Sequence, residues 1–187
     1  MIVNVREKNI EEIKEKLRSI NTDLNKISYM ESAVREPGFS FEIKRFLWGN
    51  LSELYQRRKM LERAAKAMAN KAGVEITIKD KVESYLVAGE LYARLGKIED
   101  ADEMFTRAGR DASFEIKEKV RLARKNIYRV CAKELEKSGK RAGTIRYYER
   151  LIKMDLENIE KEEIKRKLLS TYQSLGMFRE AKLLEKV

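Results

Sequence analysis

The sequence contains no histidine, one cysteine and one proline in 187 residues. A single thiol, Cys131, excludes an internal disulfide and any structural zinc site built on several thiolates. Histidine is the side chain that most often acts as a general acid or base near neutral pH, and it is missing here. A glycine-rich phosphate loop, a serine elbow and an evident pair of catalytic carboxylates are also missing. We therefore expect no enzymatic activity, no catalytic residue, no metal and no cofactor.

Long apolar runs are missing as well. No stretch of about 18 apolar residues exists, and the first residues carry charges where a secretory segment would be apolar. These features predict a cytoplasmic protein without a membrane partner. The chain also has only two glutamines and many Lys, Glu, Arg and Ile residues, a composition typical of heat-adapted proteins.

The residues that are abundant favour an all-α fold. Hydrophobic residues make up 43% of the chain and charged residues 39%, so folding is expected. With one proline and nine glycines, the segments between helix breakers are long.

Residues 1–73 contain two of these long segments. Apolar residues recur every three or four positions over 10–34, and Pro37 stops this pattern. A second apolar pattern covers 41–73. The two segments predict a long antiparallel helical hairpin. It serves either as a dimerisation or docking arm or, as we favour, as the first layer of one helical stack. Residues 74–81 are predicted to be a linker.

The most informative pattern lies in residues 82–108. Its apolar and small residues have helical spacing on both sides of a break at Gly96, and they are Tyr85, Ala88, Gly89, Tyr92, Ala101, Phe105 and Ala108. This spacing predicts two short antiparallel helices that approach closely at Gly89 and Ala101. It resembles a tetratricopeptide repeat, with Ala88 where leucine is usual and Ser113 where proline is usual.

Two looser copies follow, with breaks at Gly139 and Gly176. The resemblance therefore covers 82–187, in units of about 82–115, 116–156 and 157–187. It implies tetratricopeptide-like stacked hairpins forming a right-handed α-solenoid. The interval from Gly96 to Gly139 is 43 residues. We expect the surplus length to extend the first helix of the second copy back to Phe114.

Most of the net charge of +10 lies in the second copy, where residues 116–156 contain 13 Lys and Arg against five Asp and Glu. In tetratricopeptide proteins the first helix of each hairpin lines a concave groove. Carried onto this sequence, the resemblance implies a ligand-binding groove at Asn126, Arg129, Lys133 and Arg166. Arg129 and Lys133 are four residues apart, which suits the binding of a carboxylate or a phosphate. The same cations also fit an ordinary solvated helix face.

These features favour a protein interaction scaffold or adaptor that binds an acidic peptide or protein surface in a basic groove. The alternative is a nucleic-acid (RNA or DNA) binding protein that uses the second copy, where Arg146, Tyr147 and Arg150 bring cations and an aromatic ring together. A third hypothesis is self-association through the amino-terminal hairpin. The carboxyl end offers another such surface, because Leu183 and Val187 are expected to point away from the core.

Overall fold

The computed structural model describes residues 5–186, and the all-α prediction is confirmed for this part of the chain. Its helices are α1 (Ile10–Ser19), α2 (Asp23–Ala33), α3 (Phe41–Arg57), α4 (Leu61–Gly73), α5 (Ile78–Arg94), α6 (Ile98–Gly109), α7 (Phe114–Lys137), α8 (Arg141–Ile152), α9 (Asn158–Ser174) and α10 (Phe178–Glu185). Within residues 5–186, no helix has both the length and the apolar character needed to cross a bilayer.

The prediction of one helix over 10–34 is wrong, because the chain leaves helical geometry at residues 20–22. Ile20 and Thr22 both have extended backbone angles. The Thr22 hydroxyl accepts a hydrogen bond from the Asn25 amide at 3.2 Å and so starts α2. A side chain that satisfies a free amide at a helix start favours a new helix over a continuous one.

The prediction of one helix over 41–73 is also wrong. α3 ends at Arg57, and Lys59 adopts a left-handed backbone conformation with φ of 59°. The Met60 amide then donates to the Tyr55 carbonyl at 2.8 Å, which closes a tight turn before α4.

This turn recurs in three further hairpins. Gly96, Gly139 and Gly176 have φ of 74°, 70° and 72°. In each case the next amide donates to a carbonyl five residues back, and the bonds are Lys97 to Tyr92, Lys140 to Leu135, and Met177 to Tyr172. Helices α3 to α10 therefore form four hairpins with one turn geometry, and the first has lysine where the others have glycine.

Short connections join the hairpins. Thr77 caps α5 by accepting from the Asp80 amide at 3.0 Å, so α5 begins inside the predicted linker and only residues 74–77 separate it from α4. Connections of this length make consecutive helices antiparallel. The first helices of the four hairpins, α3, α5, α7 and α9, consequently run in the same direction.

A tyrosine occupies the fifteenth position of each first helix. These tyrosines are Tyr55, Tyr92, Tyr128 and Tyr172, and all four are buried. The hydroxyls of three of them donate to a carboxylate on the preceding helix; the pairs are Tyr55 with Glu31, Tyr128 with Asp102, and Tyr172 with Glu149 at 2.7 Å. Tyr55, Tyr92 and Tyr172 lie near the turn that ends their helix, whereas Tyr128 lies further from Gly139, at the place that Tyr85 has relative to Gly96.

The turns show where the surplus length of α7 lies. α3, α5 and α9 each contain 17 residues, whereas α7 contains 24 and begins at Phe114, as predicted. The ion pairs between α7 and α9 join residues 31 to 35 positions apart, close to the interval between Gly139 and Gly176. The turn ends of α7 and α9 therefore lie at a similar level, and the surplus extends the amino-terminal end of α7, as expected.

The carboxyl end of the described chain exposes Leu183, which is 59% accessible. Val187 lies outside the described residues. Self-association through this end remains a prediction.

The close approach of α5 and α6 is confirmed. Gly89 and Ala101 are both buried, and a Cβ atom added to Gly89 would lie 2.5 Å from Cε1 of Phe105. A contact this short requires the ring or the helix to move. We expect Gly89→Ala to lower the free energy of unfolding by about 1–3 kcal/mol, measured by urea denaturation.

Gly49→Ala in α3 is the matched control. A Cβ atom there would lie 3.7 Å from the Lys71 side chain, which is ordinary contact. The free energy of unfolding of this variant should rise by about 0.4–1 kcal/mol, because alanine restricts the conformations of the unfolded chain. Adding Phe105→Leu to Gly89→Ala should recover part of the loss. Equal effects of the two alanine substitutions would contradict the close contact.

The turn at Lys59 generates a second prediction. A residue with a Cβ atom is strained at positive φ, and glycine is not. Lys59→Gly should raise the free energy of unfolding by about 1 kcal/mol, read from the urea midpoint. Arg58→Gly is the control, since Arg58 has φ of −88° and glycine brings no relief there. A loss of stability in Lys59→Gly would show that the left-handed turn is wrongly assigned.

Candidate functional site

The predicted groove residues lie on α7 and α9. Asn126 and Lys133 are exposed on one face of α7, and Arg166 is exposed on α9. The same face of α7 carries two accessible aliphatic side chains, Leu122 at 43% and Val130 at 49%. Their spacing of three or four residues gives α7 a mixed apolar and basic surface.

Arg129 differs from the other three residues because it is engaged by α9. Its Nη1 lies 2.7 Å from Oε1 of Glu160 and its Nη2 lies 3.4 Å from Oε2 of Glu163. Lys125 binds Glu160 as well, at 2.9 Å. Arg129 thus joins two helices, and it reaches a ligand only by giving up these partners.

These pairs also place α7 beside α9. The partners advance together along both helices, from Lys125 with Glu160 to Lys167 with Glu136 at 3.4 Å. The two helices therefore run parallel, in agreement with the short connections. Asn126 and Lys133, by contrast, have no side-chain hydrogen bond or ion pair within residues 5–186.

Two cations of α8, Arg146 and Arg150, are paired with the preceding hairpin. Arg146 Nη2 lies 2.9 Å from Glu99, and Arg150 contacts both Glu99 at 3.3 Å and Asp102 at 3.4 Å. Arg146 Nη1 also donates to the Gly96 carbonyl at 3.1 Å. These two side chains therefore join α8 to α6.

Tyr147, the aromatic ring of the nucleic-acid alternative, is buried. Its ring is 2% accessible, and its hydroxyl donates to the Ala93 carbonyl at the end of α5. Burial raises the pKa of Tyr147 to about 12. Neither Tyr147 nor the adjacent Tyr148, which is also buried, offers a face on which a base can stack.

Sequence analysis missed a group of cations at the end of α7. We call Lys137, Lys140 and Arg141 the tip cations; they lie on the last turn of α7 and the first turn of α8. All three are exposed, and none forms an ion pair in the described part of the chain. Their crowding was visible in the sequence, but their lack of partners was not.

A cleft of about 340 Å³ lies beside Lys140, the tip cation that lines it. One wall is the end of α5 with Leu95, and the other is formed by α7 and α8 with Leu135, Cys131 and Tyr147. Burial raises the pKa of the Cys131 thiol to about 11, so this side chain contributes apolar surface and no thiolate.

No protein-family model and no curated protein matches this sequence.

The contact between α7 and α9 predicts a specific acid sensitivity. The hydrogen bond from Lys125 lowers the pKa of Glu160 from its ordinary value. A carboxylate with a depressed pKa in the folded state stabilises the fold above its unfolded pKa of about 4.3, and this stabilisation is lost as the pH falls.

Glu160→Gln should therefore be less stable than the wild type near pH 7, and the difference should narrow towards about pH 3. Urea midpoints measured across this range test the prediction. Glu162→Gln is the control, because Glu162 is exposed and its carboxylate has no ion pair among residues 5–186. A difference between Glu160→Gln and the wild type that does not change with pH would contradict the assignment.

Proposed function

We propose that this chain is a tetratricopeptide-like interaction scaffold that binds an acidic peptide or protein surface. The four hairpins share one turn geometry, and ion pairs hold α7 parallel to α9, which supports a regular stack with α3, α5, α7 and α9 in one layer. The observation that carries the proposal is the open face of α7, where Leu122 and Val130 lie among Asn126 and Lys133.

The chemistry of this face fits a peptide. Leu122 and Val130 offer apolar contact to aliphatic side chains, and Asn126 can donate to or accept from a peptide backbone. Lys133 and Arg166 are exposed cations on either side of the contact between α7 and α9 and attract carboxylates. Arg129 positions α9 beside this face through Glu160 and Glu163.

The alternative of nucleic-acid binding has less support. Single-stranded nucleic acids bind strongly where exposed aromatic rings stack on bases beside cations. In this chain Tyr147 is buried, and Arg146 and Arg150 are paired with carboxylates of α6.

The proposal is tested by affinity purification of the full chain from its native cells, with nuclease treatment and at low and high salt. We expect the wild type to retain a protein partner, and we expect this association to persist after nuclease treatment. The groove variant Lys133→Glu with Arg166→Glu should reduce its recovery about tenfold or more, because two attractive contacts become repulsive.

The matched control is Lys79→Glu with Lys161→Glu, which reverses two exposed cations that have no ion pair within residues 5–186. It should leave recovery unchanged. Release of the bound material by nuclease would favour the nucleic-acid alternative, and equal loss in both variants would contradict a specific groove.

A further inference from the structure

The turn end of the α7–α8 hairpin is the feature least explained by folding. Lys137 lies in the last turn of α7, Lys140 immediately precedes α8, and Arg141 begins α8. All three side chains are exposed. The basic residues at this end of the hairpin take no part in the packing of its two helices.

The charges at this end are not neutralised within the chain. Most cations elsewhere on α7 and α8 are joined to carboxylates, with Lys117 and Lys133 as exceptions among the described residues; the joined ones include Arg121, Arg124, Lys125, Arg129, Arg146 and Arg150. The tip cations Lys137, Lys140 and Arg141 have no such partner in residues 5–186. The first turn of α8 also contains no acidic residue. Three adjacent like charges repel one another, and a polyanionic partner relieves that repulsion.

The cleft beside these cations has a different character. Leu95, Leu135 and Tyr147 supply apolar wall, and its volume of about 340 Å³ has room for one large aliphatic side chain. The lining also includes Ser138 and the cations Arg94, Lys140 and Arg146, but Arg94 is paired with Glu90 and Arg146 with Glu99. Glu134 also lines the cleft and makes no ion pair among the described residues. This carboxylate disfavours a phosphate inside the cleft and leaves an apolar side chain as the better occupant.

We propose that the end of the α7–α8 hairpin is a second contact site for the partner, specific for an acidic segment with an aliphatic anchor. The anchor enters the cleft between Leu95 and Leu135, and the carboxylates flanking it meet Lys137, Lys140 and Arg141. The inference rests on the proposed function and deepens it, because it names the chemistry of the bound segment. Charge complementarity and the apolar walls together favour a peptide over a nucleic acid, which has no aliphatic anchor.

The test uses the full chain and fluorescence anisotropy with three probes. The first is a short labelled peptide of glutamates with one central leucine, the second replaces that leucine with serine, and the third is a labelled single-stranded RNA of equal charge. We expect the leucine peptide to bind, the serine peptide to bind at least about fivefold more weakly, and the RNA to bind more weakly than the leucine peptide. Tighter binding of the RNA, or equal binding of the two peptides, would overturn the proposal.

Two sets of variants locate the site. Reversal of the charge of the tip cations (Lys137→Glu, Lys140→Glu and Arg141→Glu) should weaken binding of the leucine peptide about tenfold or more. The control reverses three exposed cations without ion pairs in residues 5–186, Lys79→Glu, Lys161→Glu and Lys182→Glu, and should have a much smaller effect. Equal effects of the two sets would show that only net charge matters and would overturn the site.

The cleft itself is tested by a matched pair. Leu95 and Leu24 are both accessible, at 39% and 54%, but only Leu95 lines the cleft, and Leu24 lies on α2. Leu95→Glu should weaken binding of the leucine peptide about tenfold, and Leu24→Glu should have little effect on it. Equal losses of binding in the two variants would exclude the cleft as the anchor site.

The outcome separates this site from the groove. If binding of the leucine peptide is weakened by the groove variant (Lys133→Glu with Arg166→Glu) and not by charge reversal of the tip cations, the site at the tip cations is overturned and the proposed function stands. If the wild type does not bind the leucine peptide at all, the tip site is overturned, and the purification experiment alone decides the proposed function.

Discussion

The arrangement of the hairpins depends on a buried tyrosine at one position of each first helix. Burial of such a ring contributes about 2–3 kcal/mol, and a buried hydroxyl also requires a hydrogen-bond partner. Tyr55, Tyr128 and Tyr172 meet both conditions by reaching a carboxylate on the preceding helix. Each of these bonds holds a first helix against the helix before it, and ion pairs from Lys125 and Arg129 to Glu160 hold α7 beside α9.

The distribution of charge follows from the same packing. The basic residues of 116–156 dominate the net charge, but neighbouring helices supply carboxylates for most of the cations that face them. Glu160 and Glu163 of α9 engage Arg129, while Glu99 of α6 engages Arg146. The cations left without partners lie where no neighbouring helix covers them. Counting basic residues in a segment therefore overstates how many are free for a ligand.

The sequence pattern did not reveal the first hairpin because one residue of its turn differs from the others. Lysine at position 59 occupies the left-handed turn that glycine occupies in the other three hairpins, so the breaker that reveals a helix end is missing. Two other signals were present in the sequence: SFEIK occurs at both 40–44 and 113–117, each time at the start of a first helix. The spacing of Trp48, Leu51, Ser52 and Tyr55 also matches that of Tyr85, Ala88, Gly89 and Tyr92.

The amino-acid sequence by itself determined the helical fold and the close hairpin at Gly89 and Phe105, because spacing, side-chain size and turn chemistry act between residues near one another in the chain. Only the tertiary structure decided which cations are free and which rings are buried. Arg129 meets Glu160 across 31 positions, and Tyr147 meets Ala93 across 54. Such pairs depend on how whole helices pack, and no local pattern specifies that packing.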